Sequence, residues 1–144
     1  MGIALPALAP EKLIDYLGLL THWNRAFNLT ARRDPREMIS KHILDSLSVM
    51  PYVGAVLVAD IGSGAGLPGI PLAIALPETR FVLIDSNGKK TRFLFQVKTA
   101  LGLDNMTVHQ ARVESFQPDA AFDTVLSRAF ATLADMVERL RGTP

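Results

Sequence analysis

Val56-Leu57-Val58-Ala59-Asp60-Ile61-Gly62-Ser63-Gly64-Ala65-Gly66-Leu67-Pro68-Gly69 carries the strongest structural signal in this chain. Its first six residues form a short apolar run, the pattern of a strand buried on both faces. Four glycines in the next eight residues end the run. Glycine lets the backbone take positive φ and lets a ligand approach without interference from a Cβ. Amides at the start of the helix that follows offer donors to an anionic or polar group. The plain alternative is a tight turn that binds nothing. So many glycines directly after a buried strand favour a ligand loop.

Outward from this stretch the same texture repeats. Phe81-Val82-Leu83-Ile84-Asp85 reads as a second strand, Met106-Thr107-Val108 as a weaker third, and Phe122-Asp123-Thr124-Val125-Leu126-Ser127 as a fourth. Helical patterns separate them over residues 71–76, 89–101 and 131–140. Strand and helix alternating in this way predict an α/β fold: a parallel, Rossmann-like sheet with helices on both faces. Upstream, Leu13, Ile14, Leu17 and Leu20, then Met38, Ile39, Ile43, Leu44 and Leu47, recur at helical spacing. Pro10 and Glu11 suit a first helical turn, and Asp34 with Glu37 suits a capping box. The expected organisation is an N-terminal helical lobe over residues 1–52 and an α/β domain over 53–144, joined in one compact unit.

Composition narrows the function. The 144 residues are 49% hydrophobic and 20% charged, the balance of one ordinary globular domain. Fifteen Lys and Arg against fourteen Asp and Glu give a net charge of +1, which argues against a uniformly basic coat. With no cysteine, disulfides, thiolate metal sites and Cys nucleophiles are excluded. The three histidines and scattered carboxylates show no metal-ligand spacing, so no metal is expected. No stretch is apolar for long enough to span a bilayer, and the first ten residues lack a basic leader. A cytoplasmic protein is the expectation.

Two ligand classes fit the glycine loop. Gly64-Ala65-Gly66-Leu67-Pro68-Gly69 matches the dinucleotide fingerprint formally, but starts the turn two residues late. The other register, D-x-G-x-G-x-G, sets Asp60 at the strand's end, where its carboxylate orients the loop or meets a cationic group. Pyrophosphate would be repelled there, whereas an amino-acid ammonium would be attracted. This favours S-adenosyl-L-methionine over a dinucleotide. Asp85, twenty-three residues after Gly62, stands near the spacing at which an acidic residue accepts from ribose hydroxyls. Both ligands contain ribose, so Asp85 does not separate them. It is also placed to cap the turn at Asn87-Gly88.

A set of motifs occurs in order along the chain: Asn28-Leu29-Thr30-Ala31, His42-Ile43-Leu44-Asp45-Ser46-Leu47, the loop through Leu67-Pro68-Gly69, Asp85-Ser86, Lys89-Lys90, Arg112-Val113-Glu114 and Ser127-Arg128-Ala129-Phe130. Together they resemble the RsmG (GidB) family of bacterial 16S ribosomal RNA guanine-N7 methyltransferases, over roughly residues 12–141. The glycine loop alone is common to very many methyltransferases. The Leu-Pro-Gly extension and Ser-Arg-Ala-Phe are far more specific.

The resemblance implies a class I methyltransferase that uses S-adenosyl-L-methionine to modify guanine N7 of small-subunit rRNA. By it, Gly62 and Leu67 line the methionine and adenosine part of the cleft, with Gly64 in the same loop. Asp85 takes the ribose, Val113 and Glu114 flank the adenine, and Arg128 sits beside the cofactor facing the entering base. It also implies a seven-stranded sheet and a monomer for the full-length family. The chain stops at Gly142-Thr143-Pro144, so the strands closing one side of that sheet are expected to be missing. That leaves the turnover of this short chain open.

Guanine N7 carries a lone pair and no proton, so the reaction requires no general base and no catalytic acid–base pair is sought. The A-form major groove is too narrow for side chains, so the target base should be unpaired or splayed out, stacked on a ring such as Phe130. Phe130 serves equally well as plain core. Candidates for substrate contact are Asn28, His42, Lys89, Lys90, Arg128 and Phe130, with Arg25, Arg32, Arg33, Arg36, Lys41 and Arg92 as further cations. Judged alone, His42 suits a structural histidine, Asn28 a turn or cap, and Trp23 and Phe27 the core beneath the lobe. Asp45 and Ser46 are placed to reach the glycine loop. Two other classes stand beside this one: an NAD-dependent Rossmann oxidoreductase, and a truncated, catalytically inactive module that keeps cofactor or RNA affinity.

Overall fold

Parallel pairing organises the molecule. The computed structural model describes residues 5–27, 43–53, 56–62, 64–112 and 122–126. Among them, strands β1 (Leu57–Ile61), β2 (Arg80–Asp85), β3 (Met106–Gln110) and β4 (Thr124–Leu126) form one sheet in the order β3-β2-β1-β4. All three interfaces are parallel, with Val58 opposite Phe81 and Thr124, and Leu83 opposite Val108. β1 lies centrally and is buried at every residue, as a continuous apolar run requires. Its first amides are closed off by Asp123, whose Oδ2 accepts from Val56 N (3.1 Å) and Leu57 N (2.8 Å).

Helices α1 (Ala9–Phe27), α2 (Leu44–Ser48), α3 (Gly69–Ala75) and α4 (Gly88–Leu101) and a 3-10 turn (Met50–Tyr52) complete the described elements. Crossovers β1–α3–β2 and β2–α4–β3 run in the same direction, so their right-handedness puts both helices on one face of the sheet. Ile70, Leu72, Phe93, Leu94 and Val97 from these helices share a core with Val58, Phe81, Leu83, Met106 and Val108. Helix α1 joins that core through Ala9, Leu13, Tyr16 and Leu20, spaced four, three and four apart along one stripe. Of the apolar residues expected to mark this helix, Ile14 is 68% exposed, because one residue beyond Leu13 is a turn of about 100° around the axis. On the opposite face of β1, Ala59 and Ile61 pack with Phe122 and Val125.

The predicted strands are present, with shifted ends. β3 runs on to Gln110 because parallel pairing with β2 continues to Asp85, and β4 is described over Thr124–Leu126, where it pairs with β1. Helix α3 begins at Gly69, two residues ahead of the expected start, as Ile70 N already donates to Gly66 O (2.7 Å). The expected helix over residues 131–140 and the Asp34 capping box lie outside the described residues. Helix α4 is capped by Asn87, whose Oδ1 accepts from Lys89 N (2.9 Å) and Lys90 N (3.2 Å). Asn87→Ala should cost about 1 kcal/mol, a fall of roughly 3 °C in the thermal midpoint. An unchanged melting curve would show that the cap is dispensable.

Candidate functional site

Strand order places the glycine loop at a reversal point. From β1 the chain moves outward to β2 and β3, then returns to β4 on the other side of β1. In open parallel sheets the crevice beyond the carboxyl ends at such a switch point is where ligands bind. The loop leaving β1, the Asp85–Gly88 turn leaving β2 and residues 110–112 leaving β3 all gather at that edge. Gly62 N donates to Ile84 O (2.8 Å) and Ala111 N to Asp85 O (3.0 Å), extending both ladders into the loops.

The four glycines divide into two pairs. Gly62 and Gly64 have φ of +68° and +57°, and an ideal Cβ at Gly62 would meet no atom of the described residues within 4 Å. At Gly64, among the described residues, it would meet only Gly62 O, at 3.9 Å. These two turn a bare, open face outward. Gly66 and Gly69 are glycines for packing. A Cβ on Gly66, at φ +91°, would collide with Ile70 Cδ1 and come within 3.1 Å of Leu94 Cδ2. On Gly69 it would stand 2.5 Å from Asp60 Oδ2 and 3.1 Å from Leu83 Cδ1.

The two strand-end aspartates also part company. Asp60 lies on the α3 face of β1, opposite Leu83 and Leu126, and is 0% exposed. Its Oδ2 accepts from Gly69 N at 2.9 Å. Of the two roles expected for Asp60, the structure shows the first: it orients the loop's own backbone, and its burial beneath α3 corrects the idea that it meets a ligand's ammonium. Asp85, half-buried at the end of β2, directs its carboxylate at the glycine loop. Oδ2 accepts from Gly64 N (2.9 Å), while Oδ1 accepts from Asn87 N (2.8 Å). Loop contact and turn capping are thus both present in one side chain. A carboxylate has about four acceptor positions, so each oxygen can still take another donor.

Lys89 and Lys90 stand in the first turn of α4, with Arg92 one turn further and Arg112 beyond β3; Lys89, Arg92 and Arg112 are exposed. Arg25 is exposed in the last turn of α1. Ser46 is buried on α2, which packs on α3, and Asp45 is exposed. Trp23, partly buried against the core as expected for it, meets Phe93 with ring centroids 5.7 Å apart and planes tilted by 56°. Leu67 is buried in that same core. Val113, Glu114, Arg128, Asn28, His42 and Phe130 lie outside the described residues. Tyr16 was not singled out by its sequence, yet its hydroxyl donates to Ala65 O at 2.7 Å. The available signal was a tyrosine in a buried stripe, whose hydroxyl must find a partner. Among the described residues no three His, Asp or Glu converge as metal ligands, and no helix is long and apolar enough to cross a membrane.

A family model described as rRNA small subunit methyltransferase G, GidB, matches residues 9–142. The chain belongs to the GidB family. This GidB chain is 53% identical over 141 residues to ribosomal RNA small subunit methyltransferase G of Hahella chejuensis, covering 98% of the chain and 65% of that relative. With the Pseudomonas aeruginosa (strain LESB58) protein of the same name it shares 54% over 142 residues, covering 98% of the chain and 66% of the relative. It therefore spans about two thirds of the length of the curated relatives it matches. In fold it resembles a putative O-methyltransferase from Klebsiella pneumoniae, with TM-score 0.66 and 16% identity over 90% of this chain and 60% of that one. The plantazolicin methyltransferase BpumL, solved in complex with SAH, gives TM-score 0.60 and 18% identity over 96% of this chain and 59% of that one. These likenesses establish the class I methyltransferase fold of the GidB chain.

Proposed function

We propose that this chain forms the cofactor-binding part of an S-adenosyl-L-methionine-dependent methyltransferase that modifies guanine N7 in small-subunit ribosomal RNA. The observation carrying the proposal is the open backbone at Gly62 and Gly64, which faces the carboxylate of Asp85 across the switch point. That arrangement suits an adenosyl amino acid: bare backbone for close approach, and a carboxylate with spare acceptor positions for ribose hydroxyls. A dinucleotide fits less well. In its register the second glycine, which must admit the pyrophosphate, is Gly66, and that position is backed by Ile70 and Leu94.

When bound, the cofactor supplies a methyl group activated by a sulfonium. The work of the chain is to hold and orient. Gly62, Gly64 and Leu67 shape the cleft and Asp85 takes the ribose, with Val113 and Glu114 beside the adenine and Arg128 toward the incoming base. N7 needs no proton removed, so positioning is the main contribution. For the RNA, Lys89, Lys90 and Arg92 place three cations at the start of α4, which suits contact with phosphates. Residues 1–52 then serve as a helical lobe on the RNA side, with Asn28 and His42 in it, and residues 53–144 as the cofactor domain. Acting on ribosomal RNA implies a cytoplasmic protein.

The test uses labelled S-adenosylmethionine with small ribosomal subunits. Label in the RNA at guanine N7 is expected; binding of S-adenosylhomocysteine without any transfer would leave only a cofactor-binding module. Gly62→Ala should weaken S-adenosylhomocysteine about tenfold, about 1.4 kcal/mol, since its methyl enters the face where the ligand approaches. Equal affinity by titration calorimetry in the folded variant would remove Gly62 from the site.

A further inference from the structure

Ala65 lies between Gly64 and Gly66, whose φ of +57° and +91° are open to glycine and strained for other residues. The loop is tied to the sheet through Gly62, Gly64 and Gly69, whose amides donate to Ile84 O, Asp85 Oδ2 and Asp60 Oδ2. A further tie comes from outside the sheet. The hydroxyl of Tyr16, on the middle of α1, donates to Ala65 O at 2.7 Å, across 49 residues of sequence and wholly inside the protein. The ring itself is held by Phe93 of α4, with centroids 6.4 Å apart, and Phe93 is held in turn by Trp23 of α1. Tyr16 therefore has little latitude.

A peptide unit is planar, so fixing the Ala65 carbonyl toward α1 also fixes the Gly66 N–H in the opposite direction and limits the ψ of Ala65. From this we infer that Tyr16 is a positioning residue for the cofactor loop, through which helix α1 sets the loop's shape before the ligand arrives. Such a device lowers the ordering cost paid on binding, because the two flanking glycines are already confined. It also couples the N-terminal helix to the cofactor site. By reciprocity, whatever displaces α1 weakens the cofactor, and a bound cofactor steadies α1. The inference rests on the cofactor site proposed above.

Tyr16→Phe keeps the ring and its packing and removes only the hydroxyl. Two readouts separate the possibilities. Titration with S-adenosylhomocysteine should show affinity about tenfold weaker than the parent chain, equivalent to about 1.4 kcal/mol. Amide hydrogen exchange, without ligand, should quicken at Ala65, Gly66 and Ile70 by a similar factor while the amides of β1, β2 and β3 keep their rates. If exchange rises uniformly, or affinity in the folded variant is unchanged, Tyr16 contributes to general stability and the inference is overturned. If the parent chain does not bind S-adenosylhomocysteine but exchange still quickens only in the loop, Tyr16 positions the loop and the cofactor assignment is what fails.

Discussion

Gly66→Ala should destabilise the protein by about 2–5 kcal/mol, through two separate costs. At φ +91° a side chain is forced into a backbone region that L-residues avoid, worth about 1–2 kcal/mol. The new methyl also collides with Ile70 Cδ1 and crowds Leu94, and overpacking of this kind costs about 1–3 kcal/mol. Neither neighbour can retreat easily, since Ile70 and Leu94 are both fully buried. The expected fall in thermal midpoint is roughly 10 °C, with a matching fall in the denaturant midpoint. Gly62→Ala carries the backbone cost without the overpacking, because no atom of the described residues stands in its way. The two variants should thus separate: Gly66→Ala loses more stability, whereas Gly62→Ala loses less and also weakens the ligand. A Gly66→Ala protein as stable as the parent would mean that the loop packs on α3 and α4 differently from this description.

Asp85→Asn should weaken S-adenosylhomocysteine about a hundredfold. The carboxylate accepts from Gly64 N on one oxygen and from Asn87 N on the other. An amide offers one oxygen and one NH2, so whichever way it turns a donor faces a donor. Either the Gly64 contact or the turn leaving β2 is lost, and with the charge goes the stronger hydrogen bonding to ribose hydroxyls. Hydrogen bonds to charged groups are worth about 1.5–3 kcal/mol, which converts to roughly the hundredfold stated. Calorimetry on the folded variant measures it directly. If only the melting temperature falls and affinity holds, Asp85 is a turn cap and nothing more. Asn87→Ala is the natural companion, since it removes a cap in the same turn without touching the loop.

Much of the fold was legible because buried parallel strands are written as short apolar runs, and 56–59 and 81–84 are of that kind. β3 was fainter, since Thr107, His109 and Gln110 are exposed on an outer strand of the described sheet, and these three of its five residues carry no apolar signal. Its true end is set by pairing with β2, a non-local fact. The site was legible as a place and not as a set of roles. Spacing makes Gly62, Gly64, Gly66 and Gly69 look alike, yet two of them face open space and two face core atoms. Asp60 and Asp85 look alike for the same reason. Strand alternation buries one beneath α3, and the end of β2 frees the other toward the loop. Tyr16 passed unremarked because its partner is 49 residues away.

Local pattern in the chain was enough to determine the parallel α/β fold, the glycine loop after β1 and, through its ordered motifs, membership of the GidB family. Hydrophobic period and glycine clustering act within a few residues, so they can be read one stretch at a time. Tertiary structure alone decided which glycines are bare to the crevice, which aspartate faces it, and that α1 reaches across to grip the loop. Those outcomes depend on what a side chain or a missing Cβ meets once distant segments pack together, and contacts of that kind have no local spelling.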